Sequence, residues 1–207
     1  MEEWSTARLE TFSDGVLAIA ATVLVLEIGI ATPLDKPLSD ALLDLWPSFL
    51  AYATSFLVIG IIWINHHAMV RRLQTVDHGV MIWNLTLLLF VALLPFTTGL
   101  MAAYLREGEG DHLAAAVYGG SFLVMSLAFA GMNRHILFRK TYRLKEPMDP
   151  QRRRMILGRG VVGLLPYLLA TVLAVVSPYV TLALCAAVAV FYASPLAGAA
   201  EASSASR

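Results

Sequence analysis

Long apolar runs separated by short polar stretches dominate the chain and set its architecture before any single residue is considered. A helix needs roughly 20 apolar residues to cross the hydrocarbon layer of a bilayer, and six stretches are candidates. The first runs from about Phe12 to Ile30. Leu45 to Ile64, Val80 to Tyr104 and Leu113 to Met132 follow. The last two, Val161 to Val176 and Tyr179 to Tyr192, are short and separated only by the tight turn at Ser177 and Pro178. They either span with help from interfacial flanks or sit as a shallower hairpin. Pro95 and Pro166 fall inside apolar runs, which membrane helices tolerate where neighbours re-satisfy the freed carbonyl. Trp46, Tyr104, Tyr118, Tyr142, Tyr179 and Tyr192 lie mostly near the expected span ends, as an interfacial aromatic belt requires.

Composition narrows this to an all-α polytopic membrane protein of six helices. Of 207 residues, 58% are hydrophobic and only 14% charged, where a soluble domain carries about a quarter charged. The length allows one bundle and leaves no room for a separate enzyme domain. Cys185 stands alone inside an apolar run, which excludes a disulfide framework. The first apolar run begins after Arg8, contains Glu27 and lacks a small-residue cleavage site, so it reads as a retained helix and not a signal peptide.

The formal net charge of zero hides an asymmetry along the chain. Arg8, Arg71, Arg72, the basic residues from Arg134 to Arg159, and Arg207 fall on one side of the alternating spans. Only Lys36 and Arg106 fall on the other. Both termini and the basic loop at about 133–160 are therefore expected on the cytoplasmic side of a prokaryotic inner membrane, and the alternation works only with an even number of spans. The arginines at 152–154 read first as a topology anchor near anionic lipid, and second as a dedicated regulatory-lipid or nucleic-acid site. No nucleic-acid partner is expected overall. Residues 1–195 are expected to form one membrane domain, and the small, polar segment 196–207 a disordered tail.

The first apolar run differs from the others in its chemistry. It places Ser13, Asp14, Thr22 and Glu27 among apolar residues, and a carboxylate in or near a membrane is expensive without a partner or water. Asp14 is expected near the helix start, where first-turn amides and Arg8 are candidate partners. Ile19, Val23, Leu26 and Ile30 recur at four, three and four residues and form one stripe, with Thr22 on its flank. Such a stripe fits ordinary packing, and it equally fits a pore lining that gates by hydrophobic constriction. Spacing alone does not choose.

The segment from Arg8 through Phe12, Ser13 and Asp14 to Glu27, with its RxxxFSD core, resembles the signature of the TMEM175 family of lysosomal and prokaryotic potassium channels. The resemblance covers about residues 5–105. Beyond that it rests on length, hydropathy and the basic loop. It implies six-helix subunits assembled as homotetramers, with the first helix of each lining a central pore. It places the narrowest constriction at Ile19, further pore-facing apolar positions at Val23 and Leu26, and a polar layer at Thr22. Arg8, Phe12, Ser13 and Asp14 would hold the first helix against its neighbours, helped by His78 and Asn84 on the third helix, with His78 as a candidate helix cap. The segment Trp63–Ile–Asn65–His66–His67 also resembles family members. Val23 is smaller than the leucine common at that position, which points to a wider second constriction.

The implied activity is passive conduction of K+, modestly favoured over Na+, with proton permeation also compatible with the family. No TVGYG-like filter loop occurs, and no cofactor beyond the permeant K+ is expected. A secondary ion-coupled transporter is the alternative, supported only by Pro95 and Pro166 and lacking a visible repeat. A membrane enzyme lacks HExxH, GxSxG, CxxC or a paired-carboxylate constellation. Adjacent His66 and His67 point about 100° apart on a helix, which argues against a metal site.

Overall fold

A computed structural model describes residues 5–29, 37–139 and 141–193. Ile30, Lys36, Lys140 and the tail expected at 196–207 lie outside the described residues.

Eight helices follow one another: α1 Thr6–Val23, α2 Leu38–Asp44, α3 Trp46–Val70, α4 His78–Glu107, α5 Asp111–Arg134, α6 Pro150–Val162, α7 Leu164–Leu173 and α8 Pro178–Ala193. A 3₁₀ turn, Leu24–Glu27, extends α1, and a π-helical turn, His135–Arg139, extends α5. Five of the resulting rods are long and apolar enough to cross a membrane: Thr6–Glu27, Trp46–Val70, His78–Glu107, Asp111–Arg139 and Pro150–Leu173. With the shorter α8, 16 residues, they make the six helices that the hydropathy pattern predicts.

The rods reach further into the polar flanks than hydropathy alone indicates, because capping residues fix their ends. Asp77 caps α4, its Oδ1 accepting the Val80 amide at 2.8 Å. At the other end Gly108 and Gly110 take φ of +78° and +81°, a left-handed conformation that lets three residues reverse the chain into α5. Asp149 caps α6, with Pro150 in its first turn. The segment 133–160, expected as an open loop, is therefore mostly helical. It begins as the end of α5 and resumes as α6, which runs into α7 as the fifth rod.

The short stretch left between those helices is docked. The Gln74 amide donates to the Arg143 carbonyl and the Lys145 amide to the Arg72 carbonyl, each at 2.8 Å. Arg143 donates to Thr75 Oγ1 at 2.7 Å, and His135 Nε2 lies 3.2 Å from both Asp77 carboxylate oxygens. Met69, Val70, Leu73, Val76, Val80, Met132, Ile136 and Leu144 fill the space behind this clasp.

In the main core α4 packs against α5, α3 and α1, while α7 packs on α5 and α8, and α8 closes back on α3. Leu17, Ala20 and Leu24 of α1 join Leu87, Leu88, Val91 and Leu94 of α4 there. Tyr118, expected in the interfacial belt, is fully buried instead. Its hydroxyl bonds Ser55 Oγ at 3.1 Å, and its ring meets Phe122 edge-on at 4.7 Å. A buried tyrosine needs such a hydroxyl partner, and Ser55, itself 2.8 Å from Thr98 Oγ1, supplies it.

Candidate functional site

Helix α1 has two unlike faces. Ser13, Leu17, Ala20 and Leu24, at spacings of four, three and four, are buried against α3 and α4. The opposite face carries Phe12, Gly15, Ile19, Thr22 and Leu26, all exposed. Ile19 is 64% exposed and Leu26 75%, comparable with outward-facing apolar side chains elsewhere such as Val162 and Val175. Thr22 lies on this face and not on its flank. Its hydroxyl donates to the Ile19 carbonyl at 2.9 Å. Val23 is half-buried, one position off the 19–22–26 line, so the stripe expected from spacing divides at that residue.

The buried face is anchored by a relay of hydrogen bonds. Asn84 Nδ2 donates to Ser13 Oγ at 3.0 Å, and Ser13 Oγ donates to the Leu9 carbonyl at 2.8 Å. Asn84 Oδ1 lies 2.8 Å from His66 Nε2. Because that amide oxygen only accepts, His66 carries its hydrogen on Nε2. Ser13, His66 and Asn84 are each at most 3% exposed, so these hydrogen bonds are made in a dry interior, where an unpaired polar group is costly.

A second set of contacts runs along the outer edge of the same seam. Trp63 Nε1 donates to Asp14 Oδ1 at 2.9 Å, and His67 Nδ1 lies 3.8 Å from Glu10 Oε1. Positions 10 and 14 on α1 meet 67 and 63 on α3, the i, i+4 matching of two antiparallel helices. Asp14 thus sits in the third turn of a helix that begins at Thr6, paired with an indole. The expected capping of first-turn amides does not occur, since the free amides lie two turns away.

Asn84 bonds Ser13 as expected, whereas His78 does not join the relay. It is exposed in the first turn of α4, and Asp77 is the cap. His66, three residues after Trp63 on α3, takes the supporting place. Arg8 and Phe12 flank an open groove between α1 and α4, lined also by Leu9, Met81 and Leu85. Among the described residues no three His, Cys, Asp or Glu side chains converge as a metal site. Glu27, the second carboxylate of the first apolar run, is half-buried with its carboxylate against Gly99 of α4. Any side chain at 99 would collide with it.

The family model described as endosomal/lysosomal potassium channel TMEM175 matches residues 8–95, which contain the whole relay and the exposed face. A potassium channel of Streptomyces collinus is 42% identical over 190 residues, covering 90% of this chain and 91% of that one. The human endosomal/lysosomal proton channel TMEM175 is 35% identical over 119 residues, 53% of this chain and 24% of its own length. Among solved structures, the crystal structure of a lysosomal potassium-selective channel TMEM175 homolog from Chamaesiphon minutus superposes with a TM-score of 0.80 at 36% identity. That match covers 91% of this chain and 96% of the homolog.

Proposed function

Because the chain belongs to the TMEM175 family, a family of ion channels and not of enzymes, we propose that it forms a potassium channel whose conduction path runs along the exposed face of α1. The observation that carries this reading is the asymmetry of that helix. One face is held by a buried polar relay, while the other leaves Ile19, Thr22 and Leu26 exposed among the described residues.

Four subunits around an axis would bring four such faces together, giving a homotetramer. Ile19 then makes the narrowest ring and Leu26 a second apolar ring. The Thr22 oxygens lie between them as the polar layer. Val23 stands at the edge of the lining. The closed ring excludes water, and opening lets a partly hydrated cation through. Selection between K+ and Na+ at such a ring is modest, and permeant K+ is the only small species the mechanism calls for. The distribution of basic residues supports an inner-membrane protein with both termini in the cytoplasm.

The test is reversal-potential recording of the purified protein in planar bilayers under a K+/Na+ gradient, with Ile19→Asn beside it. The wild type should reverse displaced toward the K+ potential, and the variant should lose part of that displacement. Unchanged current in the variant would discard the Ile19 assignment. Silence from both proteins, folded and tetrameric, would favour an ion-coupled transporter.

A further inference from the structure

We propose that the outer face of α6 seats the phosphate of an anionic phospholipid at Arg159, at the basic end of the bundle, with Arg152 two turns further out adding attraction from beyond the headgroup layer. This needs only that the chain spans a bilayer, so channel activity is not its readout.

At 100° per residue, the packed side of α6 is formed by Arg153, Ile156 and Leu157, each half-buried. Arg152, Met155 and Arg159 share the opposite arc and are exposed. Arg153 donates from Nε to the Met148 carbonyl at 2.8 Å, so it is already used. The nearest carboxylate along the chain, Asp149, caps the helix by accepting the Gln151 amide. The sequence holds no acidic residue from Pro150 to Ala193, and no ion pair involves either arginine among the described residues. Two guanidiniums two turns apart, exposed and unneutralised, call for an anion.

Depth identifies which one. Gly163, at the junction of α6 and α7, lies beneath the Tyr192 hydroxyl, and α7 beyond it carries no charged residue. Tyrosine hydroxyls mark the membrane–water boundary. Arg159 is four residues further out, about 6 Å along the helix, within the headgroup layer of roughly 5–7 Å outside the hydrocarbon. Nothing lies within 4 Å of where a Cβ would stand on Gly158 or Gly160, so the backbone on either side of Arg159 is open to close approach. Exposed Val162, about 60° round the helix from Arg159 and on its membrane side, adds apolar surface for glycerol and upper acyl carbons. Helix α6 continues into α7, which packs on α5 and α8, whereas α1 lies against α3 and α4. An assembly around α1 therefore leaves this face toward lipid.

Native mass spectrometry of the protein released from nanodiscs of phosphatidylcholine and phosphatidylglycerol tests this. Wild type should retain phosphatidylglycerol in preference to phosphatidylcholine, and Arg152→Gln/Arg159→Gln should lower that preference by roughly fivefold per arginine. Arg71→Gln/Arg154→Gln, which removes two arginines elsewhere at the same end, should leave most of it. Equal loss in both pairs would overturn the assignment in favour of a diffuse basic surface. Displacement of the lipid by millimolar glycerol phosphate would overturn it in favour of a soluble-anion site. A third check needs only wild type. Retention should fall as salt rises, and salt-independent retention would count against the guanidiniums.

Discussion

Asn84 engages both halves of its amide, one to receive a hydrogen from His66 and the other to give one to Ser13. Alanine at 84 strands a buried imidazole N–H and a buried hydroxyl oxygen, which costs about 1–3 kcal/mol. Asn84→Ala should therefore lower the unfolding midpoint of the detergent-solubilised protein clearly, and His66→Ala comparably, while His78→Ala moves it by no more than about 0.5 kcal/mol. A large effect of His78→Ala with none for His66→Ala would undo the relay as described. The serine, the aspartate and the asparagine were legible in the sequence because polar residues in apolar runs must find partners. The choice of histidine was not, because it depends on how α3 and α4 register across their connection. The spacing of Trp63 and His66, which puts both on one face of α3, was the available signal. Glu27 was legible as a carboxylate needing accommodation, but its seat on Gly99 came only from packing.

Among the elements, the clasp between 71–77 and 135–145 was the least visible in the pattern. Hydropathy locates apolar runs, but it says nothing about a polar segment whose order comes from two backbone hydrogen bonds and a capped helix. The same limit explains why α6 was expected as loop: three arginines near its start conceal a helix that Asp149 and Pro150 begin. Asp77 belongs to both the clasp and α4. Burial pushes its carboxyl upward, yet the Val80 amide, His135 and Arg143 outweigh that and hold it below the usual carboxylate range. A carboxyl lowered by folding contributes stability above its unfolded value, near 4, and that contribution is lost as pH falls through the folded value. Wild type should thus lose stability on acidification below about pH 4 more steeply than Asp77→Asn, as read from unfolding midpoints across that range. Parallel curves would exclude Asp77 from the acid response.

In the whole molecule, the subunit leaves α1 on its rim with a long apolar face open, and a partner copy is the natural cover. Cys185 is buried, so a Cys185→Ala background isolates a single introduced thiol. If the proposed tetramer brings four copies of residue 19 within the 4.4–6.8 Å Cα range a disulfide needs, Ile19→Cys in that background should form disulfide-linked dimers under mild oxidation in membranes. Val172→Cys, exposed on α7, should remain monomeric on denaturing gels. The absence of dimers at 19 would place that face away from the axis. The relay also fixes where α1 is held. Among the described residues its polar contacts to α3 and α4 include those of Glu10, Ser13 and Asp14, and the contacts described beyond Ala18 are apolar packing and the Glu27 seat. The helix is therefore a lever hinged near one end. Ile19 is about 9 Å from Ser13 along the axis and Leu26 about 20 Å, so any tilt about that hinge moves the outer ring roughly twice as far as the inner one. In the proposed tetramer such a tilt would widen the Leu26 ring more than the Ile19 ring, which stays close to the fulcrum.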